Sequence, residues 1–334
     1  MTETKVKAIA LMSGGLDSLL AAKVIAEQGV EVQGVCFVMS FASRDINRFE
    51  NRVRKTADNA GIPLKMVDIS EEFIEILGKP EHGYGANMNP CIDCKILMLR
   101  RAKKMMEEES ADLVVTGEVL GERPMSQRRD ALNIIQKGSG LNGYLLRPLS
   151  AKILDETIPE QEGKIDRDKL YDFSGRGRTP QFELAKKFGI TEYFTPAGGC
   201  LLTDPLFSKR LKDLMKNEGL SAKNIKLLKQ GRHFRIDSKT KVIVGRDEDD
   251  NEKILQAKED SDVIMRLKEK AGPYVLLRGD ISWPNIEEAA GFCVSHSKFR
   301  DPSGEILEYW QREEEKKEIT AVPLDKVEIE KKRV

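Results

Sequence analysis

The sequence predicts an α/β domain built on a parallel sheet, followed by a smaller α+β domain. Three observations support this fold class. Apolar strand-like runs alternate with helical patterns over the first half, glycine, arginine and proline crowd into "YDFSGRGRTPQF", and the last third contains paired short strands. The predicted divisions are 1–205 for the first domain, 206–228 for a helical basic linker and 229–334 for the second domain.

The first domain is predicted from alternating periodicities. The predicted strands are 6–12, 32–39, 64–69, 112–116 and 144–149. The predicted helices are 18–28, 48–60, 94–109 and 126–136. Gly29 and Gly61 stand where helices are expected to end. Ligands of such parallel sheets bind at the carboxyl ends of the strands, so the loops after the strands are the first place to look for a site.

The second domain shows a different pattern. A helix pair is predicted over 208–230, and strand pairs are predicted in "HFRIDSKTKVIVGRD" and "DVIMRLKEKAGPYVLLRG". Helical segments at 251–258 and 284–295 separate these strands from "EILEYWQR" and "EITAVPL". This mixture indicates an α+β domain.

Composition and charge exclude several classes of protein. Hydrophobic residues make up 40% and charged residues 33%, no run is long enough for a membrane span, and Gly14, Gly15 and Asp17 interrupt any signal-peptide pattern. We therefore expect a cytoplasmic protein with no membrane contact. The net charge is zero, but nine Lys or Arg against two acids between Lys209 and Arg235 give that segment +7. Such a segment is either a solvated helix face or a surface for a phosphate backbone.

The sequence "SGGLDS" lies between the first predicted strand and the first predicted helix. Glycine lets the backbone approach a ligand closely, and the unpaired N–H groups of a helix's first turn attract phosphate. The turn has neither the Walker A pattern nor the dinucleotide pattern. Because Asp17 would repel bare phosphates, Mg²⁺ is expected with them. The alternative is an ordinary strand–helix turn capped by Ser13 or Asp17.

The order S-G-G-x-D-S resembles the signature of the PP-loop ATP pyrophosphatases, which have an adenine nucleotide alpha hydrolase-like fold. Those enzymes cleave ATP between the α and β phosphates and adenylate a substrate oxygen. The resemblance implies an ATP-binding turn and makes Asp17 a catalytic candidate. Its implied ATP-binding residues are Met12, Ser13, Gly14, Gly15, Asp17 and Ser18.

Two further stretches resemble the tRNA 4-thiouridine synthases, the ThiI-like group. These are "LVVTGEVLGERPMSQ" and "YLLRPL", with a departure from the usual family residues at 122–125. The resemblance implies nucleotide- or substrate-side roles for Thr116, Gly117, Ser126 and Gln127, and an RNA contact for Arg147.

Three of the five cysteines suggest chemistry, because Cys91 and Cys94 form "NPCIDCK" and Cys200 follows in "PAGGCLL". The first of these motifs also resembles the N-P-C-x-x-C of the tRNA 2-thiouridylases. Cys36 and Cys293 are predicted to be core residues.

Three interpretations of the thiols remain open. The favoured one is a 4Fe–4S cluster with one iron left open, as related thiolation enzymes use. The others are a persulfide carrier with a resolving cysteine, and a Zn²⁺ site for which His82 is the only nearby histidine.

These resemblances imply a tRNA sulfurtransferase that adenylates a uridine carbonyl oxygen and then inserts sulfur to form thiouridine. Its partners would be tRNA and a sulfur donor, either sulfide or a cysteine desulfurase; whether the chain forms a homodimer stays open. One alternative is an ATP-dependent enzyme with another acceptor, acting by amidation or small-molecule sulfur transfer. The other is a non-catalytic RNA-binding quality-control factor.

The stretch "KVIVGRDEDDNEKILQAKEDSDVIMRLKEKAGPYVLL" resembles the RNA-binding domain of the NFACT proteins. The resemblance makes Gly245, Arg246 and Asn251 candidates for RNA contact, and Arg232 and Arg235 belong to the basic segment just before it. The alternative is that Gly245 and Arg246 only close a hairpin, since four acids follow them.

Overall fold

The structure is a computed structural model that describes residues 5–39, 42, 43, 45–193 and 200–334. The chain divides into two compact units, Met1–Asp204 and Pro205–Val334. Across the described ranges, no helix is both long and apolar enough to cross a membrane. Residues 196–199 of the "PAGGCLL" motif lie outside the described residues, whereas Cys200 lies within them.

The first unit contains a parallel sheet, as predicted. Its described strands are β1 (Lys7–Leu11), β2 (Glu31–Val38), β3 (Leu64–Asp68), β4 (Leu113–Val115) and β5 (Leu145–Leu146). Their order is β3-β2-β1-β4-β5, and every neighbouring pair is parallel. β1 and β4 are neighbours in the middle of the sheet, and the strand order reverses between them. Ligands of open α/β sheets bind at such a point. The predicted α/β class is confirmed.

Helices cover both faces of this sheet. They are α1 (Leu16–Ala26), α2 (Ile46–Asn59), α3 (Ser70–Gly78), α4 (Cys91–Glu108), α5 (Arg129–Ser139), α6 (Ile158–Gln161) and α7 (Thr179–Lys187). Side chains of β1 alternate between two cores: Ala8 and Ala10 pack with α1 and α7, whereas Ile9 packs with α4 and α5. The unit is thus three layers thick, and β1 is buried in the middle.

The boundaries of two helices differ from their prediction in ways that matter for the site. The predicted helix 94–109 begins earlier, at Cys91, directly after Pro90, whose carbonyl accepts a hydrogen bond from the Cys94 amide at 2.9 Å. The predicted helix 126–136 begins later, at Arg129, because the chain before it forms a turn closed by the Arg123 amide and Gln127 Oε1 at 2.9 Å. Both cysteines of "NPCIDCK" therefore lie in the first turn of α4.

The second unit contains an antiparallel sheet. Its described strands are β6 (Arg232–Arg235), β7 (Lys241–Val244), β8 (Val263–Leu267), β9 (Val275–Arg278), β10 (Glu305–Trp310) and β11 (Lys317–Ala321). The order is β11-β10-β8-β9-β7-β6, with all pairs antiparallel. The helices are α8 (Pro205–Asn217), α9 (Ala222–Leu227), α10 (Glu248–Gln256), α11 (Trp283–His296) and α12 (Lys326–Lys331). The predicted α+β domain is confirmed.

Both faces of this sheet are covered, which explains why β7 is apolar at successive positions. Val242 and Val244 pack on the α11 side, where Phe292 is fully buried. Ile243 points to the other face and packs with Leu227 of α9 and Ile254 of α10. The segment predicted as a basic linker thus contributes α9 to the core of the second unit.

Residues 332–334 run along β6. The Arg235 amide donates to the Lys332 carbonyl at 2.8 Å, and the Val334 amide donates to the His233 carbonyl at 3.0 Å. Phe234 and Arg333 form an antiparallel bridge between them. The outer backbone of β6 is therefore hydrogen-bonded.

Candidate functional site

A cavity of about 390 Å³ lies at the carboxyl ends of β1, β2 and β4 in the first unit. Residues of the "SGGLDS" turn and all three candidate cysteines line it together; these are Ser13, Asp17, Ser18, Cys91, Cys94 and Cys200. Its wall also contains Met12, Thr116, Gly117, Ser126 and Gln127, as well as apolar side chains of β2 and α4. The structure thus brings together residues that are nearly 190 positions apart in the sequence.

Local hydrogen bonds fix the shape of the glycine turn. Ser18 Oγ accepts a hydrogen bond from the Ser13 amide at 3.2 Å and donates one to the Gly15 carbonyl at 2.9 Å. It also lies 3.1 Å from Ser13 Oγ. Gly14 has a φ of 74°, a left-handed conformation that favours glycine. Gly15 precedes α1 and provides no side-chain cap, so the first amides of that helix remain suited to bind an anion.

Gly117 explains why a Thr-Gly pair closes β4. A Cβ atom at this position would lie 2.4 Å from the carbonyl carbon of Asp17 and from the amide nitrogen of Ser18. Only glycine therefore lets the end of β4 lie against the start of α1. Thr116 and Gln127 are buried beside it, and both line the cavity.

Arg178 does not line the cavity itself but contacts the lining residue Asp17, and the sequence did not reveal this contact. Its Nη2 donates to both carboxylate oxygens of Asp17, at 3.0 and 3.1 Å. Its Nη1 lies 3.9 Å from Glu122 Oε1. Burial raises the pKa of Asp17, and the charges of Arg178 and Arg123 oppose this shift. No short motif links Asp17 to a partner 161 residues away, so only the fold identifies this pair.

Burial and neighbouring thiols raise the pKa of two of the three cysteines, Cys94 and Cys200. Burial raises the pKa of Cys94, and the neighbouring Cys200 and Cys91 raise it further. Burial also raises the pKa of Cys200 to about 11, with a contribution from Cys91. Asn89 Nδ2 lies 3.2 Å from Cys91 Sγ, where it can donate a hydrogen bond. Cys94 and Cys200 thus favour the neutral thiol in this structure, and a ligand that brings positive charge would favour the thiolate instead.

The spacing of the thiols bears on which group they suit. Three sulfur ligands of one zinc ion would lie about 3.8 Å apart, given the Zn–S distance and tetrahedral geometry. Among the described residues, the group of three donor atoms within 4.8 Å of one another is Glu81, His82 and Asp93, not the cysteines. His82 is held by Asp93, whose oxygens lie 3.1 Å from its amide and 2.9 Å from Nδ1. The three cysteine sulfurs therefore do not all lie within 4.8 Å of one another, so in this conformation they are not spaced as three ligands of one zinc ion.

A buried ion network connects the cysteine helix α4 to the segment that follows β4. Glu118 Oε1 lies 2.6 Å from Lys95 Nζ, and its Oε2 accepts a hydrogen bond from Arg147 Nε at 2.9 Å. Burial alone would raise the pKa of Glu118, but the charges of Lys95 and Arg147 outweigh it and lower the pKa to about 2. Lys95 follows Cys94 and Glu118 follows Gly117, so this network joins the two halves of the cavity wall.

The structure gives Arg147 a different role from the RNA contact that the sequence implies. Only 4% of its side chain is exposed, and its guanidinium also donates to Gln136 Oε1 at 2.9 Å and to the Leu132 carbonyl at 3.3 Å. Because these partners surround the guanidinium inside the first unit, Arg147 is not available to a bound RNA in this conformation. We therefore leave it out of the proposed RNA surface.

The V-G-R…N pattern of the second unit also forms internal contacts. Asn251 Oδ1 accepts the Tyr274 amide at 2.9 Å, and its Nδ2 donates to the Gly272 carbonyl at 3.3 Å. A Cβ on Gly245 would lie 2.1 Å from Asn251 Oδ1. Arg246 bonds to Asp250 at 2.5 and 2.9 Å but remains half exposed. The pattern therefore holds the corner between β7 and α10.

The basic segment divides into paired and unpaired charges. Arg235 is mostly buried and bonds to Asp213 at 2.5 Å and to Glu218 at 2.6 Å. Arg232 is half-buried, with no ion pair among the described residues. Three lysines are exposed and likewise have no ion-pair partner in the described part of the chain, namely Lys212, Lys216 and Lys226.

Two family models match this chain. Residues 3–159 match the family described as thiamine biosynthesis protein (ThiI). Residues 231–333 match the family described as NFACT protein RNA binding domain.

Two curated relatives each match a little under half of this chain. The tRNA-specific 2-thiouridylase MnmA of Syntrophotalea carbinolica is 31% identical over 169 residues, which cover 47% of this chain and 47% of that protein. A "Probable tRNA sulfurtransferase" of Thermococcus kodakarensis is 29% identical over 156 residues, 46% of this chain and 40% of the relative. The chain thus spans about half the length of the curated relatives it matches, or less.

Two solved structures show a distant likeness. A 4-thiouridine synthetase–RNA complex with bound ATP aligns with 67% of this chain and 52% of its own, at 20% identity and a TM-score of 0.39. The U34-tRNA thiolase NcsA of Methanococcus maripaludis, solved with its 4Fe–4S cluster, aligns with 66% of this chain and 69% of its own, at 15% identity and a TM-score of 0.31. Neither alignment is close enough to bear on the site.

Proposed function

We propose that this chain, which combines a ThiI-like PP-loop domain with a C-terminal NFACT-type RNA-binding domain, is an ATP-dependent tRNA sulfurtransferase. The observation that supports this most is the shared cavity, which residues of the glycine turn and the three cysteines line together. Thiolation of a nucleobase requires that its carbonyl oxygen is activated as a leaving group and that sulfur attacks the carbonyl carbon. A phosphate-binding turn and a cluster of thiols around one space of about 390 Å³ suit that requirement.

The turn binds the phosphates of ATP. Ser13, Gly14, Gly15 and Ser18 hold them with backbone amides and hydroxyl groups at the start of α1. Met12 and the apolar side chains of β2 and α4 provide a surface for the base, as the walls of small-molecule sites generally do. Asp17 would hold Mg²⁺, which neutralises charge on the phosphates when bound.

The reaction has two steps. The uridine carbonyl oxygen attacks the α-phosphorus of ATP, so an O–P bond forms and pyrophosphate leaves. Sulfur then attacks the carbon of that uridine carbonyl group, so a C–S bond forms. The C–O bond breaks, and AMP is the leaving group. The amides of the turn stabilise the charge that develops on pyrophosphate in the first step.

Cys91, Cys94 and Cys200 handle the sulfur. A 4Fe–4S cluster held by these three thiols would supply an iron site for sulfide; without a cluster, a cysteine desulfurase would pass sulfane sulfur to one thiol as a persulfide, and a second thiol would release it by forming a disulfide. Asn89 orients Cys91 through its side-chain amide. The sulfur donor is sulfide or a cysteine desulfurase.

The second unit holds the tRNA. The match of residues 231–333 to an RNA-binding family supports this, and the exposed Lys212, Lys216 and Lys226 suit phosphate contacts. Lys212 and Lys216 are four residues apart on α8 and so share one helix face. Arg232 and Arg246 keep enough exposure to add to this surface.

The test is thiolation of an unmodified tRNA transcript with ATP, Mg²⁺ and sulfide under anaerobic conditions, read by mass spectrometry of the nucleosides. Wild type should form thiouridine. Cys200→Ser should form none but still bind ATP, because the thiol acts after the phosphates are bound. Cys293→Ser is the matched control, since Cys293 lies in the core of the second unit, and it should retain both properties.

Other outcomes would overturn the proposal. ATP cleavage without any thiouridine would favour a different acceptor, and tRNA binding without ATP cleavage would favour a non-catalytic RNA-binding factor. The visible absorbance of anaerobically purified protein tests the cluster separately: a brown band lost in Cys200→Ser supports it, and a colourless protein that is active with a cysteine desulfurase and cysteine but not with sulfide supports the persulfide.

A further inference from the structure

Arg178 lies at the glycine turn although the sequence assigns it no role there. Its guanidinium nitrogen Nη2 is 3.0 and 3.1 Å from the two oxygens of Asp17. Only 15% of the Arg178 side chain is exposed, and 18% of the Asp17 side chain. Arg178 is not itself among the residues that line the cavity, whereas its partner Asp17 is. A positive group is therefore bonded to the acidic side chain of the turn where the phosphates of a nucleotide are proposed to bind.

The fold builds this position from two loops. Leu120 and Ser174 form a parallel bridge, and the Gly175 amide donates to the Leu120 carbonyl at 2.7 Å. Arg178 directly precedes α7, and its carbonyl accepts the Phe182 amide at 3.1 Å while its guanidinium lies 5.8 Å from the Phe182 ring centre. Its location is thus fixed by backbone pairing and by the start of a helix.

The hydrogen bonding of this group is incomplete. Arg178 Nε is buried and has no acceptor in the described residues, and Nη1 has only the Glu122 carboxylate at 3.9 Å. Glu122 Oε2 is likewise buried without a donor. A buried guanidinium normally satisfies its donors, so this one retains capacity for a further anionic oxygen.

The geometry points to Arg178 as a binding residue for the pyrophosphate half of the nucleotide. This inference rests on the proposed function and adds a residue to it. In this structure Arg178 neutralises Asp17, which would otherwise repel phosphate. When the β and γ phosphates arrive, the guanidinium transfers hydrogen bonds from Asp17 to their oxygens, and the Asp17 carboxylate becomes available to a cation.

An arginine suits this role because its planar fork pairs with two phosphate oxygens at once. The same contact strengthens as the α–β bond of ATP breaks, since negative charge then accumulates on the departing pyrophosphate. Arg178 would therefore contribute both to binding of the triphosphate and to its cleavage, whereas a nucleoside monophosphate would not reach it.

The test compares two ligands, AMP and α,β-methylene-ATP, by titration calorimetry with Mg²⁺. Arg178→Ala should weaken the triphosphate analogue by about tenfold to a hundredfold, the value of one or two charge-assisted hydrogen bonds, and should leave AMP binding within about twofold. Arg178→Lys keeps the positive charge but not the planar guanidinium, so its affinity for α,β-methylene-ATP should lie between those of wild type and Arg178→Ala. Arg176→Ala is the matched control, because Arg176 is exposed and has no partner among the described residues, and should match wild type.

Equal weakening of both ligands in Arg178→Ala, or unchanged binding of the analogue, would overturn the inference. If wild type bound neither ligand, the ATP site itself would fail and the proposed function with it. Thermal unfolding of each variant shows whether Asp17, deprived of its partner, has destabilised the fold; Arg178→Lys answers the question if Arg178→Ala does not fold.

Discussion

Two glycine-containing patterns, "SGGLDS" in the first unit and the V-G-R…N stretch in the second, place polar residues beside a turn. In the first, the polar groups of Asp17 and Ser18 face a cavity, and the arginine beside them retains unpaired donors. In the second, both polar atoms of Asn251 are bonded to backbone groups of the same unit. Because Asp17 and Ser18 also have hydrogen-bond partners, the two patterns differ in their surroundings. The first lines a cavity beside a guanidinium with unused donors, and the second is bonded within its own unit.

The largest expected effect concerns Gly117. In Gly117→Ala the new Cβ would overlap backbone atoms of Asp17 and Ser18, which cannot move aside as a side chain can. The glycine turn must shift, and we expect ATP cleavage to fall by about a hundredfold or more. Pyrophosphate release measures this. Gly177→Ala is the control, since nothing lies within 4 Å of its added Cβ; equal rates in the two variants would contradict a close contact at the turn.

The next effect concerns the buried carboxylate of Glu118. Its pKa is lowered to about 2 from 4.5, so the ionised form stabilises the folded state. This stabilisation is fully present above about pH 5 and disappears as the pH falls through 4.5 towards 2. Glu118→Gln should therefore cost about 3 kcal/mol at pH 7 and progressively less in acid.

Urea unfolding of wild type and Glu118→Gln at pH 7, 5 and 3 measures the difference in their free energy of unfolding. Glu162→Gln provides the control, because that half-exposed carboxylate pairs with Lys164 on the surface and should change little. A cost for Glu118→Gln that stays constant with pH would show that packing rather than charge explains it.

A smaller effect is expected for Asn251, and it separates the two roles that the second pattern can have. Asn251→Ala leaves the Tyr274 amide and the Gly272 carbonyl without their partner. We expect the second unit to lose about 1–3 kcal/mol of stability, while the salt dependence of RNA binding stays the same. Loss of RNA affinity without loss of stability would instead identify Asn251 as an RNA contact.

The smallest effect is expected for the exposed lysines. Each of Lys212→Ala and Lys216→Ala should leave stability unchanged and reduce the slope of log affinity for tRNA against log salt by about 1. Filter binding between low and moderate salt measures the slope. Lys326→Ala is the control, because Lys326 is exposed on α12. Unchanged slopes for Lys212→Ala and Lys216→Ala would show that α8 does not contact the RNA.

Periodicity and turn residues predict most of the fold. The strands of the first sheet stand within a few residues of their predicted positions because each is a short apolar run between turn residues. α3 and α7 were not predicted: α3 follows β3 almost directly, and the glycines and arginines before α7 suggest a loop rather than a helix start. Local patterns do not show where such a short helix packs.

The site was predictable where motifs were local. The glycine turn and the C-x-x-C pair are contiguous, and Cys200 followed from a family resemblance. Arg178 was not predictable, because its approach to Asp17 depends on a bridge between Leu120 and Ser174 that brings two distant loops together. For Arg147 the family motif predicted an RNA contact at the surface. The structure instead buries its guanidinium against Glu118 and Gln136, which the local sequence does not indicate.

The residues that run along β6 have a consequence for handling the protein. An uncovered outer strand exposes a row of amides and carbonyls to which another chain can add, a common beginning of aggregation. Here the backbones of Lys332 and Val334 occupy these groups. A variant that lacks residues 332–334 would therefore expose unpaired backbone amides and carbonyls of β6 beside Phe234, and we expect it to aggregate more readily than the intact chain.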